Sequence, residues 1–330
     1  MKKIIFIIIF SLPAILFAQN ANLGTSGAQF LQIPLGARAS AMGGAIIGLT
    51  DDASSVFWNP AGISNVKSID AHFSYANWFN LFDLNAASVA FNAGDAGVFA
   101  AQMILFSTGK MEITTVEEPN GTGRFFDAQD IALGLSYSRF LTDRFAVGVS
   151  AKYIYQRIWN EVADGLAFDI GTQYKLDFQN LTIAMSMQNF GGDLQFDGPD
   201  LDITTTQNEN YPGSRLTPGK LKTETYPLPL NFQVGIGFDI YQADFIKIRG
   251  DIDAVHPNDN KERLHFGTEF SFFDRFSLRG GYRYNYDDED FTFGAGVNIP
   301  FSGSLVYFDY AYSLYDILPS VHRVSLSLSF

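Results

Sequence analysis

The sequence predicts an all-β transmembrane barrel of about fourteen antiparallel strands, and three observations carry that prediction. Segments of alternating apolar and polar residues recur along the chain, each near the roughly 9–11 residues that a tilted strand needs to cross a bilayer. The connections between them alternate between tight turns and longer loops, as one-sided barrel loops require. Beyond the N-terminus no stretch reaches the ~18 apolar residues of a transmembrane helix. A mean hydropathy close to zero does not oppose this. In a barrel strand every second residue is free to be polar, so 47% hydrophobic residues with 32 Phe and 15 Tyr leave little trace in an averaged hydropathy.

Residues 1–18 read as a signal peptide. Lys2 and Lys3 precede an apolar run, Ile4 to Phe17, and Leu16-Phe17-Ala18 places a small residue before Gln19. The run is short and is broken by Ser11 and Pro13, which disfavours an anchoring helix. Residues 19–66 follow as compact irregular structure. Leu35 to Gly44 is Gly/Ala-rich, Asp51 or Asp52 is placed to cap a short helix through Phe57, and Pro60 and Gly62 are expected to end it.

The barrel occupies residues 67–330. Its strands are predicted near 68–76, 84–93, 96–106, 129–140, 144–157, 165–177, 180–189, 228–241, 244–255, 261–273, 275–286, 290–299, 303–313 and 320–330. The third alternates least cleanly, from Phe99 to Phe106. An even count returns both termini to the periplasm. Connections after odd strands include the long ones, 107–128 and 189–227, whereas those after even strands are tight, as at Asp274-Arg275.

Period-two reading assigns faces. Leu264, Phe266, Phe270 and Phe272 point to lipid, with His265, Gly267, Glu269 and Ser271 in the lumen. Ile246, Ile248 and Ile252 point outward, leaving Lys247, Arg249, Asp251 and Asp253 inside. Arg279 and Arg283 are likewise lumenal, opposite Phe276, Leu278, Tyr282 and Tyr284. On these faces Phe266→Arg is expected to impair assembly and Gly267→Ser to be mild. Trp78, Trp159, Tyr284 and Tyr286 are read as interfacial girdle residues. On the last strand Val324, Leu326, Leu328 and Phe330 face out. Their pattern and the terminal Phe resemble the signal by which bacterial outer-membrane barrels reach the assembly machinery, an expected partner besides the outer-membrane lipid.

Composition narrows function. The formal charge is −13, and loss of Lys2 and Lys3 leaves 20 basic against 35 acidic residues; nucleic-acid binding needs the opposite balance. The chain has no Cys, which excludes disulfides and thiolate sites. His72, His256, His265 and His322 lack metal-ligand spacing, and the acidic run Asp287 to Asp290 lacks the spaced ligands of an EF-hand and reads as a solvated loop tip. Gly235-Ile-Gly237 and Gly294-Ala-Gly296 lie inside strands and read as wall positions that relieve crowding or allow a bend. No Gly-x-Ser-x-Gly motif is present. Neither a cofactor, a metal nor an enzymatic activity is expected.

Phe30 to Ala45, with Gly-Ala-Arg-Ala-x-x-Met-Gly-Gly, and Asp51 to Ile63, with Asp-Asp-Ala-Ser and Asn-Pro-Ala-Gly, resemble the start of the PorV/PorQ family. The ending from His322 to Leu326 resembles that family's last strand. Such proteins are similar to FadL-like fourteen-stranded outer-membrane barrels. The resemblance implies that residues 19–66 fold partly inside the barrel as a plug, with Arg38, Met42, Gly43, Gly44, Asp51, Asp52, Asn59, Pro60 and Gly62 as its motif. Arg38, the one cation of that Gly/Ala-rich stretch, is expected to pair with carboxylates such as Asp51 or Asp52. Two functions are implied. One is type IX-like export or surface attachment by binding secreted partners, chiefly on loop 191–227. The other is passage of hydrophobic small molecules, for which Phe79, Leu81 and Phe82 offer a starting point. A purely structural surface protein is a third reading. The chain is shorter than PorV itself, and its Asn59-Pro-Ala-Gly62 is the generic form of the motif.

Overall fold

The alternation read from the sequence becomes fourteen antiparallel strands that close on themselves. The computed structural model describes residues 23–206 and 216–330; the predicted signal peptide and the middle of loop 191–227 lie outside the described residues. The barrel strands are β1 (Ile69–Trp78), β2 (Phe82–Asn92), β3 (Val98–Thr108), β4 (Ala128–Thr142), β5 (Phe145–Ile158), β6 (Glu161–Lys175), β7 (Thr182–Gly191), β8 (Asn231–Ala243), β9 (Ile246–Pro257), β10 (Arg263–Phe272), β11 (Phe276–Tyr284), β12 (Phe291–Phe301), β13 (Ser304–Ser313) and β14 (Val321–Ser329). Each pairs with its neighbours in sequence, and β1 pairs with β14 from Asp70↔Ser329 to Asn77↔His322. Closure leaves no unpaired edge, which the absence of water in lipid demands.

The faces follow the predicted pattern. On β10, Leu264, Phe266 and Phe270 are exposed to lipid while His265, Gly267 and Glu269 are buried inside. β3, whose alternation was hardest to read, also alternates: Val98, Ala100, Gln102 and Ile104 face in, Phe99 and Met103 face out. Apart from Gln102 its inner face is apolar and joins the core formed with the N-terminal segment, so hydropathy alone does not separate its two sides.

One end carries tight turns. Between β10 and β11, Phe273 and Asp274 both adopt positive φ, 54° and 52°, and Arg275 N–H donates to Phe272 O at 2.9 Å. That is the two-residue turn whose twist suits a hairpin. The other end carries the longer loops. Loop 192–230 folds on itself as two small ribbons, Leu194–Gln195 with Thr225–Tyr226 and Asp202–Thr206 with Leu216–Lys220.

Two girdle assignments are corrected. Trp159 and Tyr284 are exposed on the outside, but Trp78 turns inward, packed on Phe79 and Tyr315 beneath the Arg323 guanidinium, 5.0 Å from its ring. Tyr286 also turns inward. It accepts or donates a 2.8 Å bond with His265 and stacks on Arg263 at 4.1 Å. Trp78 ends β1 in phase with the inward His72, Ser74 and Ala76, so the period itself points it to the lumen, whereas Tyr286 lies beyond the end of β11, where period two no longer fixes direction.

Candidate functional site

Residues 23–66 run through the lumen from the long-loop end to the turn end. At the top, Asp259 of the β9–β10 loop accepts bonds from Ser26, Gln29 (2.7 Å) and Gln32 (3.1 Å). Burial pushes the Asp259 carboxyl up, but these donors outweigh it and hold it below its ordinary value. The chain then descends through helix α1 (Ala37–Ala41), whose first N–H donates to Ser325 Oγ of β14 at 2.8 Å.

Below α1 the segment touches the barrel wall backbone to backbone. Met42 is fully buried. Gly43 and Gly44 have φ of 68° and 79°, a region that L side chains avoid, and a Cβ on Gly43 would lie 3.1 Å from Tyr282 N. The wall answers with glycines of its own. A Cβ on Gly281 would come within 2.1 Å of Gly43 N, on Gly267 within 2.7 Å of Met42 O, and on Gly237 within 2.9 Å of Gly48 C. On the far side, a Cβ on Gly148 would come within 2.3 Å of Pro60 C, and one on Gly171 within 2.0 Å of the Asn59 side-chain Oδ1.

The wall also supplies acceptors to the segment. Asp253 Oδ2 accepts the N–H of Ile46 (3.0 Å) and Ile47 (3.3 Å), and Asp251 Oδ2 that of Gly48 (3.0 Å). Arg283 Nε donates to Gly43 O at 2.9 Å while its Nη1 pairs with Glu289. Asp52 caps a 3-10 helix, Ala53–Phe57, accepting from Ser54 N–H at 2.8 Å. Pro60 does not end this run, as the sequence reading expected. It starts a second 3-10 helix, Pro60–Asn65, at a position where its missing N–H costs nothing. Asn59 is wholly buried and caps that helix, accepting from Ala61 N–H at 3.1 Å and donating to Thr172 O at 3.1 Å. Gly62 is needed because a Cβ would lie 2.4 Å from Thr50 Oγ1.

A charge cluster joins segment to wall. Arg38 lies 2.7 Å from Asp51, 3.5 Å from Asp52 and 3.2 Å from Glu269. Glu269, almost fully buried, also receives Arg249 and Arg279 (2.7 Å), and Arg279 reaches Asp309 at 2.5 Å. Burial would raise the Asp51 carboxyl, yet Arg38 and then Arg249 outweigh it and hold it below its ordinary value. Lys247 stands apart, paired with Asp239 at 3.1 Å. The sequence reading missed a third lumenal pair, Lys152 with Asp169 at 2.8 Å, and the buried Asn189 beside it. Asn189 sits opposite a register shift between Phe168 and Ile170, with φ of 62°; no sequence signal marks such a bulge.

Two cavities flank the segment. The upper one, about 320 Å³, lies under the long loops between Leu35, Trp58, Gln233 and Tyr286. The lower one, about 580 Å³, opens at the turn end around Arg38, Asp70 and Tyr307. They share no lining residue. Among the described residues no group of His, Asp or Glu is placed to hold a metal ion. At the chain's end, Val324 and Phe330 are exposed outside, Leu326 and Leu328 partly so, and Phe330 N–H donates to Ile69 O at 2.9 Å.

The family model "Type IX secretion system protein PorV" matches residues 17–256. The chain belongs to the PorV family. No curated protein sequence matches it. Its fold is that of FadL-like barrels. The toluene transporter TbuX of Ralstonia pickettii is similar at TM-score 0.55 and 14% identity, over 89% of this chain and 96% of that one. The toluene transporter TodX of Pseudomonas putida gives 0.55 and 13%, over 89% and 96%. A FadL homologue of Pseudomonas aeruginosa gives 0.55 and 12%, over 90% and 98%. This PorV-family chain is therefore an outer-membrane β-barrel, of a family and fold that serve secretion or transport. The tight turns, by the usual orientation of such barrels, face the periplasm and the long loops face outward.

Proposed function

We propose that this barrel is a non-enzymatic docking scaffold in type IX-like export or surface attachment, which holds secreted partners on its outer loops while its N-terminal segment plugs the lumen. The observation that carries this reading is the backbone contact between the segment and the lumenal glycines Gly237, Gly267 and Gly281. A plug seated without intervening side chains leaves little room for a path along that wall, and the cavities above and below it share no lining residue. Binding at the outer face needs no such path. Apolar side chains stand at the tips of three outer loops: Val116 is 94% exposed, Leu216 67% and Ile317 89%. Contacts on loops held by a rigid scaffold are the usual means of recognition.

The second reading, passage of hydrophobic small molecules, is favoured by the likeness to toluene transporters, a likeness of fold alone at 13–14% identity. The first-loop aromatics do not extend it. Phe79 packs on Trp78 and Tyr315 and Phe82 on Phe106, while Leu81 is exposed.

Photo-crosslinking residues at positions 116, 216 and 317 of the intact protein in living cells test the docking reading. Adducts with exported proteins are expected. The absence of any exported-protein adduct at all three positions overturns it.

A further inference from the structure

We infer that Lys152, Asp169 and Asn189 form a self-modifying site, in which the Lys152 amine displaces the side-chain amide nitrogen of Asn189 and the resulting isopeptide bond ties β5 to β7 across β6; this goes beyond the docking reading and does not rest on it. Lys152 Nζ lies 2.5 Å from Asn189 Oδ1 and 2.8 Å from Asp169 Oδ1. With a carbonyl bond of about 1.23 Å, Nζ therefore stands within about 3.7 Å of Asn189 Cγ, close to the separation of reacting atoms held for attack. The amide is turned the right way, since Asn189 Nδ2 donates to Pro229 O at 3.1 Å and leaves Oδ1 to the lysine.

The barrel wall is shaped to bring these three together. Asn189 breaks the in-and-out order of β7, because it follows the inward Gln188 and is itself buried. The cause is the register shift between Phe168 and Ile170, with Asn189 at φ 62°, a conformation that asparagine tolerates better than most residues. A bulge of this kind re-aims a side chain. Asp169 fixes it, accepting Asn189 N–H at 2.8 Å on the same oxygen that receives Lys152. On β4, Gly134 stands opposite Lys152 and makes room for its stem, since a Cβ there would lie 3.0 Å from Lys152 Cγ.

Burial favours the reaction. Lys152, Asp169 and Asn189 are 6%, 1% and 4% exposed, so water neither solvates the ammonium well nor intercepts an intermediate. A desolvated lysine is a nucleophile once it has given up a proton, and Asp169 is in contact to take it. Lys152 passes one proton to Asp169, and its lone pair adds to Asn189 Cγ, which places the negative charge on Oδ1. Asp169 then gives that proton to Nδ2 and takes another from the adduct nitrogen. The Cγ–Nδ2 bond breaks, ammonia leaves, and a neutral secondary amide and a protonated Asp169 remain. Nothing is oxidised or reduced, and no co-reactant is consumed. Asp169 Oδ2, buried without a hydrogen-bond partner among the described residues, is the oxygen free to carry the proton. The product replaces a buried ion pair, whose desolvation is costly, and it fixes the wall beside Pro229 at the root of loop 192–230.

The test is mass spectrometry of a tryptic digest of the full-length protein purified from outer membranes and then unfolded. A branched peptide is expected, in which residues 145–157, uncleaved at Lys152, are joined to residues 176–215 with the loss of one ammonia molecule. Cyclisation of an N-terminal glutamine also releases ammonia, so the branched peptide decides and the mass of the whole chain does not. The branch should be absent from K152R, which keeps a cation beside Asp169, and from D169N, which keeps the shape of the side chain without its acid. Complete cleavage after Lys152 in the unaltered protein, with residues 145–152 and 176–215 recovered only as separate peptides, would overturn the inference whatever the variants show. A branched peptide formed in D169N at the parent's level would overturn the proton transfer through Asp169, and with it the mechanism.

Discussion

Phe266 and Gly267 are neighbours with opposite surroundings, and both resist change for different reasons. Phe266 faces lipid, where a charge near the bilayer midplane costs about 2–4 kcal/mol. Gly267 was expected from its lumenal face to accept serine mildly. The structure contradicts that: a Cβ there would meet Met42 O at 2.7 Å and Met42 Cβ at 2.9 Å, and overpacking of this kind costs about 1–3 kcal/mol. Thermal unfolding of F266R and G267S in detergent should show both destabilised, with G267S also exposing residues 23–66 to protease. A G267S protein indistinguishable from the parent would mean that the segment does not touch the wall there.

Arg38 shows the converse, a residue whose partners were legible in part. Its pairing with Asp51 and Asp52 was expected from the sequence, but Glu269 lies 231 positions away and only the barrel brings it near. The Arg38–Glu269 pair is largely buried, and removing one member of such a pair typically costs about 3–5 kcal/mol, so R38A should release the segment to protease. The Asp51 carboxyl is held below its ordinary value of about 4. The stabilisation from that depression is complete above pH 4 and is lost as pH falls through the lowered value. Protection of the segment should hold from neutrality to about pH 4 and weaken below it. In R38A, where only Arg249 is left to oppose burial at Asp51, the loss should begin at higher pH.

At the scale of elements, the strands were readable and the lumenal segment was not. A strand such as β14 writes its faces into the sequence, because Val324 and Leu326 alternate with Arg323 and Ser325. Three short 3-10 helices, one short α-helix and the turns between them have no period to detect. What marked them was local chemistry: Asp52 and Asn59 as caps, and Gly43-Gly44 for positive φ. Even so, Pro60, expected to end the helix through Phe57, begins the next one. Phe330 follows β14 on the lower rim, 58% exposed, with its N–H on Ile69 O. One hydrogen bond at a rim contributes little to stability, so F330D should spare the fold of protein refolded in detergent. In cells the same change should leave the chain in the periplasm, as fractionation would show. Normal outer-membrane levels of F330D would make the aromatic end incidental to assembly.

At the scale of the whole molecule, lipid meets an apolar belt, the N-terminal segment runs through the lumen, and the long loop 192–230 stands at the outer end. The acidic run Asp287 to Asp290 is not the solvated tip its sequence suggested, since Glu289 is buried on Arg283. On the docking reading the outer loops are the working surface. Loop 192–230 is not free along its whole length, since Leu194 and Leu228 are buried in the barrel mouth. Replacing residues 201–221 by a short Gly/Ser linker removes the outer ribbon and keeps both anchors. The decisive measurement is the fraction of exported proteins that reach the cell surface in cells carrying this trimmed loop at normal barrel levels. The docking account predicts that exported proteins accumulate in the periplasm while uptake of hydrophobic compounds is unchanged. Correct placement of every exported protein, together with lost growth on a hydrophobic substrate, would contradict it.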